Sequence, residues 1–290
     1  MDSLQGKTVT IVGLGLMGGS LALALRDCSV RLVAVEPDAA TRERALAQGL
    51  VDNATADLAS GVSGADLVVL AAPVGAILDL LPAVAAACPD SCTILDLGST
   101  KGAVVAAMDR LPAGTQAVGG HPMCGKEMAG LAAAEADLYV GQTFFLCRSA
   151  RTSPEAEAMA EALVAAAGAQ PWWIEPEEHD RLVALVSHMP YFAAAALMAE
   201  AAAVATAGEQ VWRAAAGGFR DTSRLAGSEP RMIGDIARTN RAAILEALRS
   251  YQSRVGEVIA LLESDDDGAL SAWLAARQRE HAEYRQAKGS

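Results

Sequence analysis

The chain has 290 residues, 52% hydrophobic, 20% charged and 4% aromatic, with a formal net charge of −12. That length exceeds what one core usually fills, so two domains are expected, and the apolar content excludes a disordered chain. The acidic surplus, with no local basic patch to offset it, excludes nucleic acid and anionic membrane as partners; a small anionic substrate would need cationic residues supplied at its own site.

No stretch approaches about 18 uninterrupted apolar residues, and residues 1–7 run directly into a strand pattern without a basic and apolar leader, so a cytoplasmic protein is expected. The five cysteines (Cys28, Cys88, Cys92, Cys124, Cys147) are odd in number and lack a C-x-x-C pair. They read as free thiols in a reducing compartment, with no metal site.

From Lys7 to about Glu175, short apolar runs alternate with helical patterns, the signature of a parallel sheet with crossover helices. Strands are expected at Thr8–Val12, Arg31–Val35, Asp66–Ala71, Thr93–Asp96, Gln116–Val118, Thr143–Leu146 and Trp172–Ile174. Helices are expected to start near Met17, Ala39 and Gly75. After Pro176 the strand signals stop, and Ala- and Leu-rich helices run on with breaks at Gly208, Gly217–Gly218, Gly227–Pro230 and Asp265–Gly268. The first of them, Glu177 to Met198, carries alanines on several faces, which suits close packing within the chain or across a dimer.

The first strand enters Gly13-Leu14-Gly15-Leu16-Met17-Gly18, with a helical pattern behind it. Here glycines tighten the turn and let backbone approach a pyrophosphate, whose charge meets the helix N-terminus. Glu36 closes the second strand about 20 residues on, where a carboxylate accepts from both ribose hydroxyls of NAD and repels a 2′-phosphate. Arg42 and Arg44 argue the other way, yet fall inside the next helix as surface charge. The fold class expected is thus an α/β Rossmann-type domain over residues 1–175 with NAD as cofactor, followed by an all-helical domain over residues 176–290.

Ligands of open α/β sheets sit at the carboxyl ends of the strands. Ala71-Ala72-Pro73-Val74 forms an apolar turn suited to a cofactor ribose, so Ala72 and Pro73 join the cofactor set. Gly98-Ser99-Thr100-Lys101 and Gly119-Gly120-His121-Pro122-Met123 follow the next two strands. His121, held between glycines and a proline at the mouth of the sheet, is placed to take a proton from a hydroxyl as hydride leaves the same carbon. A lone histidine is more often structural, and the cofactor fingerprint tips the reading to catalysis.

In the helical half, Ser187-His188-Met189-Pro190-Tyr191 puts polar groups before a helix-interrupting proline, consistent equally with a cleft and with a capped helix end. Gly217-Gly218-Phe219-Arg220-Asp221 offers an arginine fork for a carboxylate, or an ordinary surface pair.

With these segments in order, GLGLMGGS (13–20), GSTK (98–101), GGHPMCGKEMAG (119–130), HDRLVALVSHMP (179–190) and GGFRDTSR (217–224), the chain resembles the prephenate/arogenate dehydrogenases of tyrosine biosynthesis over nearly its whole length. The resemblance implies a helical dimerisation domain and NAD-linked oxidative decarboxylation of prephenate to 4-hydroxyphenylpyruvate, or of arogenate to tyrosine. It makes His121 the catalytic base and Ser99 the residue that orients it. Arg220 binds the ring carboxylate, His188 lines the substrate pocket, and Glu127 stands near its entrance.

Tyr191 replaces a second histidine common in prephenate-using members, so the preference between the two substrates stays open. Lys126 stands where a small hydroxyl residue is expected, as added positive charge or an exposed side chain. The resemblance leaves room for one more helix before Ser290, so no regulatory or mutase module is expected. Hydroxyisobutyrate and phosphogluconate dehydrogenases, which share the opening motif, rely on a lysine deep in the helical domain, and residues 177–207 hold none. A dinucleotide sensor without turnover would need the glycines and Glu36 but not His121, Ser99 and Arg220 together.

Overall fold

The computed structural model describes residues 4–126, 128–205 and 210–288; Glu127 and Gly208 lie outside them. Among the described residues, eight strands form one sheet: β1 (Thr8–Val12), β2 (Arg31–Val35), β3 (Asn53–Thr55), β4 (Leu67–Leu70), β5 (Thr93–Asp96), β6 (Gln116–Pro122), β7 (Thr143–Arg148) and β8 (Gln170–Trp173). Their order is β3-β2-β1-β4-β5-β6-β7-β8, parallel from β3 through β6. The central strands β4 and β5 are buried along their whole length. They read as continuous apolar runs because helices cover both faces.

Helices α1 (Leu16–Leu25), α2 (Ala39–Ala47), α3 (Leu58–Val62), α4 (Val74–Ala87), α5 (Gly102–Asp109) and α6 (Pro154–Ala166) supply that cover. Leu21 and Leu25 of α1 share one core with Leu163 of α6, and Ile77 and Leu81 of α4 share the other with Val104 and Met108 of α5. Each such fully buried side chain stabilises the fold by about 1.5–3 kcal/mol relative to exposure.

The sheet departs from the sequence expectation in two places, by an added strand and by one antiparallel pairing. β3 pairs with β2, although its sequence, Asn-Ala-Thr, carries almost no apolar signal. β7 runs antiparallel to β6: among its described residues the connecting segment holds a single 3-10 turn, Leu131–Ala133, and no crossover helix that would return the chain in the same sense.

Beyond the sheet, α7 (Pro176–Val183) leads through a π-helical turn, Ala184–His188, into α8 (Met189–Ala205). Pro190 lacks the N–H an α-helix needs, and the expected interruption takes the form of this wider turn just before it. The helices α9 (Gln210–Ala214), α10 (Gly217–Ser223), α11 (Pro230–Thr239), α12 (Arg241–Glu263) and α13 (Asp267–Lys288) follow; breaks at 215–216, 228–229 and 264–266 lie beside the anticipated glycines, while Gly217, Gly218 and Gly268 open the helices that follow.

Contacts divide the chain into Met1–Ile244 and Leu245–Ser290. Within the first unit, α7 and α11 dock on the N-terminal ends of α5 and α4 through buried carboxylates: Asp180 accepts from the backbone of Lys101, and Asp235 accepts from Gly75 N at 2.9 Å. In the second, Tyr251, Val255, Ile259 and Leu262 lie exposed on one helical stripe of α12.

Candidate active site

The turn after β1 is built for a dinucleotide. Gly13 adopts φ +97°, and a Cβ there would lie 2.6 Å from the Ala71 carbonyl oxygen; one on Gly18 would lie 1.9 Å from that of Gly13. A Cβ on Gly15 would meet nothing within 4 Å, so the open side of the turn is at Gly15. It precedes Leu16, where α1 starts without a side-chain cap, leaving first-turn N–H groups for a phosphate. Tyr139 secures the first turn by donating to Met17 O at 2.8 Å.

Glu36 directly follows β2, its carboxylate accepting from Leu14 N at 2.9 Å and Asp38 N at 3.0 Å. It is thereby aimed at the turn with lone pairs left for ribose hydroxyls. Arg42 is not solvated surface charge: it donates to the carbonyls of Glu36 and Pro37 at 2.7 and 2.8 Å. Its Nη1 is therefore committed to the backbone. Ala72 is half-buried, and Pro73, exposed, leads into α4. These residues fit a dinucleotide with an unphosphorylated ribose.

His121 lies within β6 and not beyond it. β5 pairs only with Gln116–Val118, so Gly119–Pro122 runs past the end of β5 and carries the imidazole to the sheet's carboxyl edge. Pro122 is tolerated because this edge of β6 has no neighbour that needs its N–H. Gly120, deprived of β5 backbone, is held by side chains instead: its N–H donates to Asp96 Oδ1 at 3.0 Å and its carbonyl accepts from Lys101 Nζ at 2.7 Å.

His121 Nδ1 lies 2.8 Å from His179 Nε2, and His179 Nδ1 lies 2.8 Å from Asp180 Oδ1. Asp180 also accepts from the backbone N–H groups of Lys101 at 2.7 Å and Gly102 at 2.9 Å. Burial, the neighbouring His179, the Lys101 ammonium and His188 together hold His121 well below the usual histidine value, so the ring is neutral. Burial likewise lowers His179, against the pull of its bond to Asp180. Burial works to raise Asp180, but the bonds from His179, Lys101 and Gly102 outweigh it and keep it ionised.

The family model described as "Prephenate dehydrogenase, nucleotide-binding domain" matches residues 21–171, and "Prephenate dehydrogenase, dimerization domain" matches residues 175–276. The chain belongs to the prephenate dehydrogenase family. It is 34% identical to a prephenate dehydrogenase of Bacillus subtilis over 89% of this chain and 71% of that one. The structure of prephenate dehydrogenase from A. aeolicus in complex with hydroxyphenyl propionate and NAD+ superposes with a TM-score of 0.90 at 26% identity, covering 98% of this chain and 100% of that one. Synechocystis arogenate dehydrogenase gives 0.83 at 30% identity, over 96% and 99%.

Against that family background, several expected site residues take other places. The recorded partner of His121 is His179, not Ser99, which is half-buried beside α5. His188 is 3% exposed and bonded through Nδ1 to Asn240 at 3.3 Å, so it buttresses the cluster and does not face an open pocket of this chain. Tyr191 is half-buried with its ring edge-on to Phe192. Arg220 is exposed and pairs with Asp221 at 3.1 Å, the surface arrangement. Lys126 is tied to Glu135, whose backbone N–H donates to Ser20 Oγ at 2.9 Å, so it fastens its loop to α1.

His179, Asp180, Asp96 and Lys101 carry site geometry without having been assigned a role from sequence. One signal was there for the first two. Pro176, His179, Asp180 and Val183 form the buried i, i+3, i+4, i+7 stripe of α7, and a His–Asp pair on such a stripe requires buried partners.

Proposed function

We propose that this member of the family is a cytoplasmic, homodimeric, NAD-dependent prephenate dehydrogenase that converts prephenate to 4-hydroxyphenylpyruvate in tyrosine biosynthesis. The carrying observation is a neutral His121 at the carboxyl edge of a dinucleotide-binding sheet, with Nδ1 engaged by His179. Residues 1–175 bind the cofactor, through Gly13, Gly15, Leu16, Met17, Gly18, Glu36, Ala72 and Pro73. Residues 176–290 complete the substrate site and form the dimer, for which the exposed stripe of α12 provides apolar surface.

NAD, when bound, accepts the hydride from the ring carbon that bears the hydroxyl. His121 removes the hydroxyl proton at Nε2 as the carbonyl forms; loss of carbon dioxide aromatises the ring as a phenolate, which takes up a proton to give the 4-hydroxyphenyl product, and makes the step effectively irreversible. Ser99 contacts the reacting groups from the start of the β5–α5 connection. The stretch Gly217–Arg224 supplies two cations for the substrate's carboxylates, Arg220 and, four residues on, Arg224. Tyr191 lines the α7–α8 side, and His188, buried against Asn240, supports it from within.

The test is NAD reduction followed by absorbance with purified protein and prephenate, then arogenate, each repeated with NADP. Turnover of prephenate with NAD is the expected result. Turnover of arogenate alone reassigns the substrate, and turnover of neither despite NAD binding overturns the enzyme assignment.

A further inference from the structure

We propose that His179 and Asp180 are positioning residues that fix the tautomer of His121, and so determine which of its nitrogens takes the substrate proton. The proposal rests on the reading of His121 as the base.

The hydrogen bonds leave one consistent wiring. Asp180 accepts two backbone N–H groups, from Lys101 at 2.7 Å and Gly102 at 2.9 Å, and so stands as a carboxylate that can only accept. His179 Nδ1, 2.8 Å from that carboxylate, must carry a hydrogen. A neutral His179 then has a bare Nε2, and the 2.8 Å contact to His121 Nδ1 requires the hydrogen to sit on His121 Nδ1. Nε2 of His121 is left bare, on the side away from His179. The opposite tautomer of His121 would set two lone pairs against each other at 2.8 Å, or would require a protonated His179.

The surroundings disfavour that cation. His179 is fully buried, and the groups facing the pair are the Lys101–Asp96 ion pair from the β5–α5 side, His188 from the π turn and Asp180 itself. When His121 Nε2 takes the substrate proton, the imidazolium keeps its Nδ1–H bond to His179 and its charge is countered by Asp180 through that ring. One proton moves, from hydroxyl to Nε2. A carboxylate acting on a catalytic imidazole through a hydrogen-bonded intermediary orients it and stabilises its charged form.

The tautomer is directly observable. In full-length protein labelled with 15N-histidine, the four histidines, His121, His179, His188 and His281, are assigned by single substitutions, and ring-nitrogen shifts report which nitrogen is protonated. Near pH 7.5, His121 is expected to be wholly the Nδ1–H form in the wild type, and mixed or Nε2–H in His179→Ala. In the same variant kcat is expected to fall about 100-fold, with KM and NAD affinity within about threefold. His179→Gln, whose amide oxygen accepts from Nδ1–H while its nitrogen donates to Asp180, is expected to restore kcat to within about fivefold of wild type.

An Nε2–H form in the wild type overturns the proposal without any variant, even if His179→Ala fails to fold. An unchanged tautomer in His179→Ala overturns it as well, and so does a His179→Gln enzyme as slow as the alanine variant. A wild-type chain with the expected tautomer that turns over neither prephenate nor arogenate leaves the positioning intact and removes the assigned reaction.

Discussion

Lys101 and Asp96 form an ion pair with no solvent exposure on either side chain, and between them they bind both backbone groups of Gly120, the residue before His121. The pair stands in for the β5 backbone where β5 has ended. Gly120 must be glycine for this, since a Cβ would lie 2.5 Å from the Asp96 carbonyl oxygen. Removing one partner strands the other charge in the interior. Lys101→Met is therefore expected to destabilise the protein by about 3–5 kcal/mol, measured by urea unfolding at fixed protein concentration. A loss below about 1 kcal/mol would show that the pair does not hold the strand end.

The Lys101 charge also helps keep His121 neutral, after burial and His179. A base whose folded value is depressed stays active as pH falls, until the pH reaches that value. The acid limb of kcat/KM is accordingly expected below pH 6.5, and His121→Asn is expected to abolish the limb while lowering kcat by about 10²–10⁴ and sparing NAD affinity. An acid limb above pH 7 that persists in His121→Asn would assign the base to another group.

Glu36 is the ribose partner in this reading, and Arg42 is occupied by backbone carbonyls. Glu36→Gln keeps an acceptor for the turn but halves the lone pairs and removes the charge that repels a 2′-phosphate. It is expected to weaken NAD binding by about 1–2 kcal/mol and to narrow the preference over NADP, as followed by cofactor fluorescence. Gly18→Ala is expected to do worse, because its Cβ collides with backbone at 1.9 Å and no flexible side chain can yield.

Local pattern made the nucleotide half legible. Strands β1, β2 and β5 fall where their apolar runs place them, and Gly13 and Gly18 have the steric reasons that the motif implies. What stayed hidden depends on partners far along the chain. β3 is held by pairing with β2 and not by its own three residues, and β6 is extended by β7, which a strand-by-strand reading cannot supply. The histidine cluster joins His121 to His179 across 58 positions, so position in sequence identified the base but not what orients it. Arg42 and Lys126 looked like loose charges because carbonyl and carboxylate partners in a fold have no sequence signature.

The substrate's carboxylates pose a sharper question. Arg220 is exposed and pairs with Asp221, an ion pair worth little, so turning to a ligand costs it little. Arg220→Ala is expected to raise KM for prephenate about tenfold or more with kcat less affected, since the lost contact is made in the ground state and the transition state alike. Arg224→Ala, four residues on, is expected to raise KM as well, since both arginines are assigned to the substrate's carboxylates. A KM effect confined to Arg224→Ala would move the carboxylate contact to that residue.

His188 lets burial be read as a pH dependence. Folded, burial holds it at about 4, against an ordinary value of 6.5. Below pH 6.5 the unfolded chain takes up a proton that the folded chain refuses, so this group costs stability progressively as pH falls towards 4 and nothing above 6.5. The loss across that window is about 3 kcal/mol. His188→Asn retains a polar contact for Asn240 and does not titrate. The stability difference between wild type and variant, from urea unfolding at matched concentrations, is expected to be constant above pH 6.5 and to shrink by about 3 kcal/mol by pH 4. Parallel curves through the whole range would mean that His188 is protonated alike in both states, and hence that the π turn opens to water under acid before the rest of the chain unfolds.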